Sequence, residues 1–397
     1  MTYDFDTYID RRGTHAGKML TFLPPEIQSQ NNSEYEDYMY FTSADMDFRC
    51  SDAIRQAIQK VTDFNLYGYT LVSDENGQDY YDAVKTWLKK SRGWEVNNRN
   101  IFMTPGALAG ISNALDAFTQ PGDGVIINKP VYTRFDITIT GAGREVINSP
   151  LIADNNGYYT IDFEDFEKKA SDPHNTAYLM CSPHNPVGRV WTEDELLKIY
   201  EICQRNNVLI ISDEVHSDLV RKDIAFKSIA QVADGIGVVV CTGYGKTFNL
   251  AALEPCYMVI TDENLLSSFD EGKYISLTTP FSVAAVKAAS YDSDDWLGQV
   301  NDYIDGNIDA ALEFIQKNMP KAKCRRPEGT YILWIDLRGY GLDDEEIHDR
   351  IYNKAKVILE DGTAFDPEGG SGFQRMCIPT SRSHMLEALK RIENVLK

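Results

Sequence analysis

Residues 192–216 read TEDELLKIYEICQRNNVLIISDEVH, and this stretch decides the fold class. Thr192 and Glu195 form a Thr-x-x-Glu capping box, which predicts the start of a helix. Residues 208–212 follow that helix as an apolar run of strand length, and the run ends on Asp213. A helix that leads directly into a buried strand is typical of a parallel sheet covered by helices.

The same alternation of helix and strand patterns continues on both sides of this stretch. Apolar residues repeat at helical spacing over residues 52–61 and again after Gly106. Buried-strand patterns occur at residues 125–127, 178–181 and 238–241. We therefore predict an α/β fold whose large domain has a mostly parallel sheet flanked by helices.

A second, smaller domain is predicted from a change of character near residue 286. Acidic amphipathic helix patterns follow there, with one antiparallel-looking strand segment at residues 331–337. A chain of 397 residues also exceeds the usual size of a single core. We expect a large domain over residues 48–285. Residues 1–47 and 286–397 would together form a small α+β domain in broad contact with it.

Composition argues against several classes of protein. The net charge of −21 would repel a phosphate backbone, so we expect no nucleic-acid partner. No apolar run is long enough to cross a bilayer, and the charged N-terminus has no apolar signal core, so we expect a cytoplasmic protein without a membrane partner. The seven scattered cysteines include no Cys-x-x-Cys, which favours reduced thiols and no metal site.

Conspicuous polar residues follow three of the predicted strands. Asn185 comes after residues 178–181, Asp213 comes after residues 208–212, and Lys246 comes after residues 238–241. Ligands of parallel sheets gather beyond the carboxyl ends of the strands. We therefore expect an amide, a carboxylate and a lysine to converge on one crevice.

Two nucleotide-binding motifs can be set aside at Lys246. The Gly-Lys-Thr at residues 245–247 would end a P-loop only with a glycine six residues before the lysine, where Val240 stands. The Gly-x-Gly at residues 243–245 would begin a dinucleotide fingerprint only with a third glycine, where Phe248 stands. Neither motif is complete.

The residue types fit pyridoxal 5′-phosphate (PLP) instead. PLP enzymes need a lysine for a Schiff base and a carboxylate against the pyridine nitrogen. They also need a donor to the ring hydroxyl, a stacking aromatic ring, a phosphate cup and a cation for the substrate carboxylate. Each group has an ordinary structural interpretation when taken alone, but together they are far more specific. The chain supplies them as Lys246, Asp213, Asn185, Tyr132, the helix start at Gly106-Ala107-Leu108, and Arg375.

Motifs along nearly the whole chain resemble one family. The sequence is similar to the fold-type I PLP-dependent aminotransferase superfamily, and within it to the MalY/PatB-type cystathionine β-lyases, which are carbon–sulfur lyases. The opening segments and the proline–histidine–asparagine block are the most specific to that branch. The motifs are FDTYIDRRGT at 5–14, ADMDF at 44–48, YGYT at 67–70, PVY at 130–132, SPHNPVGRVW at 182–191, DEVHSD at 213–218, KTFNLA at 246–251, PEGTY at 327–331 and GFQR at 372–375.

The resemblance implies a role for each residue around the cofactor. Lys246 would carry PLP as a Schiff base and shuttle the proton, and Asp213 would pair with the pyridine nitrogen. Arg375 would grip the substrate α-carboxylate with a two-pronged contact that lysine cannot reproduce. Further cofactor contacts are expected from Asn185 and His216 near the ring oxygen, Tyr132 on the ring face, the amides of Gly106, Ala107 and Leu108 at the phosphate, and Thr242 and Tyr244 beside them.

The resemblance also implies a homodimer. Tyr69 matches the catalytic-site tyrosine that reaches the cofactor phosphate of the neighbouring subunit. A site built in this way would need two copies of the chain.

The chain departs from the family pattern at four positions. Gly243 and Gly245 stand where serines are usual, and Glu254 stands where an arginine or a glutamine is usual. These changes predict a weaker phosphate cup, unless Thr242, Tyr244 or backbone amides compensate. Cys377 replaces an asparagine near Arg375 and leaves the identity of the substrate open.

The activity implied by the resemblance is α,β-elimination from a sulfur-containing amino acid, which yields pyruvate, ammonia and a thiol. An aminotransferase of small amino acids is the alternative, because the residue types at the cofactor suit both reactions. A non-catalytic regulatory relative is a third possibility, and intact Lys246, Asp213, Asn185 and Arg375 argue against it.

Overall fold

The computed structural model describes residues 2–20, 37–72, 78–269 and 278–397. The helices are α1 (Gly17–Leu20), α2 (Asp52–Phe64), α3 (Gln78–Arg92), α4 (Ala107–Phe118), α5 (Arg134–Gly141), α6 (Phe163–Ala170), α7 (Glu193–Arg205), α8 (Ile229–Val232), α9 (Glu263–Ser268), α10 (Pro280–Asp292), α11 (Asp294–Asn318), α12 (Asp344–His348) and α13 (Arg382–Leu396). The strands are β1 (Met39–Tyr40), β2 (Ile101–Thr104), β3 (Gly124–Ile127), β4 (Glu145–Asn148), β5 (Leu151–Ala153), β6 (Tyr159–Ile161), β7 (Asn175–Cys181), β8 (Leu209–Asp213), β9 (Val238–Gly243), β10 (Cys256–Ile260), β11 (Lys323–Cys324), β12 (Ile332–Asp336), β13 (Val357–Ile358), β14 (Glu360–Asp361) and β15 (Phe373–Cys377).

A seven-stranded sheet forms the centre of the molecule, in the order β2-β10-β9-β8-β7-β3-β4. Strand β10 runs antiparallel to both of its neighbours, and the pairs from β9 to β4 are parallel. The three strands predicted to end on polar residues are β7, β8 and β9, and they lie side by side. The predicted α/β fold with a mostly parallel sheet is confirmed.

Local sequence explains how the central helix–strand unit forms. Thr192 Oγ1 accepts a hydrogen bond from the backbone N–H of Glu195 at 3.2 Å, and Glu195 Oε2 accepts one from the N–H of Thr192 at 2.8 Å. This capping box begins α7, as predicted. The buried face of the helix comprises Leu196, Ile199, Ile202 and Cys203. Strand β8 is almost wholly buried because helices cover both faces of a parallel sheet.

A smaller antiparallel sheet lies in the C-terminal part, in the order β11-β12-β15-β14. Strand β1, near the N-terminus, pairs in parallel with β13, so residues from both ends of the chain pack together. Helix α10 runs through the expected boundary at residues 285 and 286 and packs on α2 and α3. The boundaries at 47/48 and 285/286 therefore stay predictions, and a continuous helix crosses the second of them.

Two further properties of the described ranges concern the requirements of a membrane-spanning helix and of a metal site. None of their helices combines the length and the apolar character that crossing a membrane requires. Their histidine, cysteine, aspartate and glutamate side chains form no cluster of three or more that could hold a metal ion.

Candidate active site

The carboxyl ends of β7, β8 and β9 bring the predicted residues together. Asp213 ends β8, and in the register of the sheet it lies between Cys181 of β7 and Cys241 of β9. Asn185 follows four residues after the end of β7, and Lys246 follows three residues after the end of β9. The amide, the carboxylate and the lysine therefore lie at one edge of the sheet, as the sequence predicts.

Asp213 is a buried carboxylate with few interactions that offset its loss of hydration. Its Oδ1 accepts a hydrogen bond from the backbone N–H of Val215 at 3.2 Å. Burial raises the pKa of Asp213 to about 6, although the Val215 N–H and the charge of Lys246 act in the opposite direction. A carboxylate in such a place is stabilised by a cation beside it, such as a protonated pyridine nitrogen.

Lys246 is partly buried, and its amine is held by the main chain. Nζ donates a hydrogen bond to the carbonyl oxygen of Ala44 at 2.7 Å. Burial lowers the pKa of Lys246, while Asp45 and Cys377 raise it. The main effect favours a neutral amine, which is the form that can act as a nucleophile or a base.

Arg375 is fixed on β15 by partners on both sides. Nη1 donates a hydrogen bond to Asn185 Oδ1 at 3.1 Å, and Nη2 pairs with the carboxylate of Glu360, which is directly opposite on β14. The guanidinium also lies 4.7 Å from the centre of the Phe365 ring. Its buried Nε has no hydrogen-bond partner among the described residues. The guanidinium group of Arg375 is thus oriented, and its Nε–H remains available to an anionic ligand.

His216 and Tyr132 border the same crevice. His216 is buried, and its Nδ1 has no hydrogen-bond partner in the described part of the chain. Burial, followed by the charges of Lys246 and Arg375, holds the pKa of His216 well below its usual value, so the ring is neutral. Burial and the charge of Asp213 raise the pKa of Tyr132. Their predicted contacts with the cofactor ring stay predictions.

The start of α4 offers an anion site. Gly106 precedes the helix with φ of 109°, a left-handed value that side chains rarely adopt. The first amides of a helix, here those of Ala107 and Leu108, lack acceptors within the helix, and the helix dipole favours a negative charge at this end. These features fit the predicted phosphate cup.

Gly243 and Gly245 differ in the space around them. A Cβ atom on Gly243 would lie 2.5 Å from the carbonyl oxygen of Pro255 and 2.7 Å from Cys256 Cα. The nearest heavy atom to a Cβ on Gly245 would be Ala251 Cα at 3.5 Å, an ordinary contact. The close approach of β9 to residues 255 and 256 therefore requires glycine at 243, and a serine there could not simply strengthen the cup.

Thr242 and Tyr244 use their hydroxyl groups elsewhere. Thr242 Oγ1 donates to the backbone oxygen of Glu214 at 3.1 Å and accepts from Arg92 at 3.2 Å. Tyr244 is buried, and its hydroxyl bonds to that of Ser290 on α10 at 2.8 Å. These hydrogen bonds do not themselves support compensation by Thr242 and Tyr244, and the predicted cofactor contacts of both residues stay predictions.

A buried polar network behind the crevice was not predicted. Arg92 Nη1 lies 3.4 Å from the Glu214 carboxylate, and Nη2 lies 3.7 Å from that of Asp218. Asp218 Oδ2 accepts from Thr247 Oγ1 at 2.9 Å. Burial raises the pKa of Glu214 to about 7, while Arg92 lowers it. Because Glu214 follows Asp213 and Thr247 follows Lys246 in the chain, this network anchors the main chain beside both residues.

Tyr69 does not join the crevice of its own chain. Its side chain is 94% exposed, and it follows the C-terminus of α2. Other large apolar side chains nearby are also exposed, namely Phe64, Leu66, Tyr67 and Leu71. Within the described ranges, these side chains form an exposed apolar surface.

Residues 36–392 match the family model for aminotransferase class I and II, and the chain therefore belongs to that family. Cystathionine beta-lyase PatB of Bacillus subtilis (strain 168) is 38% identical over 359 residues, which span 89% of this chain and 91% of that protein. A PLP-bound structure from Clostridium difficile 630, described as an aminotransferase, covers 100% of both chains with a TM-score of 0.91 and 35% identity. The PLP-bound C-S lyase from Staphylococcus hominis covers 99% of both chains with a TM-score of 0.90 and 30% identity.

The space at Gly243 gives a stability prediction. Gly243→Ser should destabilise the cofactor-free protein by about 1–3 kcal/mol, because overpacking moves the main chain. Gly245→Ser is the matched control and should change the free energy of unfolding by less than about 0.5 kcal/mol. Urea unfolding of both variants measures this difference. Equal stability of the two variants would show that residues 255 and 256 can move aside.

The burial of Asp213 gives a pH prediction. PLP affinity for the cofactor-free protein should fall as the pH is lowered from about 7.5 to about 5, because a proton must leave Asp213 before it can pair with a cation. The loss should approach roughly tenfold per pH unit below the raised pKa. Fluorescence titration with PLP measures it. Asp213→Asn should bind weakly and lack this component, and an identical pH profile for that variant would argue against the assignment.

Proposed function

We propose that the chain is a PLP-dependent carbon–sulfur β-lyase. It would convert a small sulfur-containing amino acid to pyruvate, ammonia and a thiol by α,β-elimination. The observation that carries this proposal is the shared crevice of Lys246, Asp213 and the Asn185–Arg375 pair, in a chain 38% identical to a cystathionine β-lyase. The match spans most of both chains.

Each residue of the crevice has a distinct task in that reaction. Arg375, oriented by Asn185, binds the substrate α-carboxylate and so fixes the position of Cα. The Lys246 amine removes the proton from Cα. Asp213 would pair with the ring nitrogen of PLP and favour its protonated form. When bound, PLP supplies a ring that stabilises the negative charge left at Cα.

An aminotransferase of small amino acids is the alternative function. The matched family includes aminotransferases, and the structure from Clostridium difficile is described as one. Both reactions begin with loss of the Cα proton and differ in where a proton returns. The similarity to PatB and to a C-S lyase favours elimination.

A homodimer forms part of the proposal, with Tyr69 reaching the site of the neighbouring subunit. The exposure of Tyr69 and of the apolar side chains near it supports this arrangement, because such a surface is costly to leave in water. A groove of about 960 Å³ between α2 and α10 adjoins the same surface. A second copy of the chain would cover both features.

We also propose a cytoplasmic location. The seven cysteines are free thiols, which suits a reducing compartment. Cell fractionation followed by immunoblotting tests this assignment.

The proposed reaction predicts steady release of pyruvate from cystathionine, or from another β-thio amino acid, without any 2-oxo acid. Arg375→Lys should lower kcat/KM roughly tenfold to thousandfold, because lysine keeps the charge but loses the fork. Coupled assays for pyruvate and thiol measure both effects. Arg382→Lys is the matched control and should leave kcat/KM nearly unchanged. Arg382 begins α13, and its Nε donates a hydrogen bond to Asn307 Oδ1 at 3.1 Å. A single burst that resumes only with a 2-oxo acid would identify an aminotransferase.

The proposed dimer predicts complementation between two inactive variants. Tyr69→Phe and Lys246→Ala should each have little activity as homodimers, and mixing them should recover up to roughly one quarter of the wild-type rate through the one intact site of each heterodimer. Refolding the variants together, then assaying pyruvate release, tests this. No recovery from demonstrated heterodimers would place Tyr69 in the site of its own chain.

A further inference from the structure

The ADMDF motif includes residues 44–47, which we call the 44–47 strip, and Ala44 of this strip contacts Lys246. The carbonyl oxygen of Ala44 accepts two hydrogen bonds, from Lys246 Nζ at 2.7 Å and from the hydroxyl of Tyr331 at 2.8 Å. Tyr331 is fully buried, so its hydroxyl has few other orientations. The amine and the hydroxyl therefore share one acceptor at the edge of the crevice.

The strip is tied to the chain segment that carries Lys246. The side-chain amide of Asn249 brackets Met46, since Oδ1 accepts from the Met46 N–H at 3.0 Å and Nδ2 donates to the Met46 oxygen at 2.8 Å. Asn249 lies three residues after Lys246 and has φ of 58°. On its other side the strip reaches the C-terminal part, where the N–H of Asp47 donates to the oxygen of Pro379.

Two basic side chains form ion pairs with the acidic residues of the strip. Lys18, which is 2% exposed, donates to both carboxylate oxygens of Asp47 at 3.0 Å. Arg11 lies 3.0 Å from the Asp45 carboxylate and 3.2 Å from that of Asp47. Two cations thus balance two carboxylates, and the main-chain hydrogen bonds of Met46 and Asp47 restrict the position of the strip.

We propose that the carbonyl of Ala44 is the docking site of the free Lys246 amine, and that Tyr331 and Asn249 are positioning residues that hold this carbonyl in place. In the reaction proposed above, the Lys246 amine would have to be free when it removes the Cα proton. A neutral amine that donates one N–H to a fixed oxygen has its lone pair restricted in direction. The role in turnover rests on the proposed function, but the docking itself does not.

The docking is tested in cofactor-free protein, without any assay of activity. Trace acetylation with acetic anhydride, read by mass spectrometry, reports how available the Lys246 amine is relative to the exposed Lys222. Tyr331→Phe and Asn249→Gly should each displace the Ala44 carbonyl and raise the relative labelling of Lys246 roughly fivefold near pH 8, as loss of the Lys246–Ala44 hydrogen bond implies. Glycine tolerates the positive φ of residue 249, so that variant removes the bracket without straining the main chain.

Tyr178→Phe is the matched control, because Tyr178 is a buried tyrosine whose hydroxyl donates to Asn128 Oδ1 at 2.6 Å. It should leave the labelling of Lys246 unchanged. Unchanged or reduced labelling in the two test variants, or an equal rise in the control, would overturn the docking proposal. If one test variant does not fold, the other decides.

Kinetics of the holoenzyme separate this proposal from the proposed function. Both test variants should lower kcat roughly tenfold with KM within about twofold, since the amine is displaced while the carboxylate site at Arg375 stays intact. A rise in KM alone would overturn the positioning role. If labelling rises as expected but the wild-type enzyme releases no pyruvate, the docking proposal stands and the lyase proposal fails.

Discussion

The burial of one carboxylate at the end of the central strand is the constraint on which the site depends. Asp213 loses most of its hydration and gains one main-chain hydrogen bond, so its charge is costly until a cation lies beside it. The sheet register fixes Asp213 between its neighbouring strands, and that position determines where such a cation would lie. The Arg92 network serves the same purpose, because it anchors the residue after Asp213 and the residue after Lys246.

Much of this arrangement could be predicted from local sequence. Strand and helix patterns are set by residues close together in the chain, so β7, β8 and β9 could be identified and the rule for parallel sheets then joined Asn185, Asp213 and Lys246. Arg375 and Tyr132 were assigned by their chemistry and by family resemblance. The family resemblance implies that Tyr69 belongs to a surface between subunits, and this assignment stays a prediction.

Other features depend on contacts between distant residues, and no local pattern encodes them. In the sequence, Arg92 is typical of a basic residue in the last turn of a helix. The pairing of Glu360 with Arg375 follows only from the register of β14 with β15. The directions of the Thr242 and Tyr244 hydroxyls are set by packing on helices far along the chain. From the sequence, Gly243 looks like the replacement of a phosphate-binding serine. In the structure, a side chain at this position is excluded because residues 255 and 256 lie too close to the main chain.

The pairing of β1 with β13 has a consequence for how the enzyme is made. Residues 39–40 emerge early from the ribosome, but their strand partner is synthesised more than three hundred residues later. The oxygen that receives the Lys246 amine is four residues beyond β1, so its final position waits for the C-terminal part of the chain. Contacts so distant in sequence form late. A nascent chain can thus complete its central sheet with the lysine in place and still be unable to hold the amine ready for chemistry.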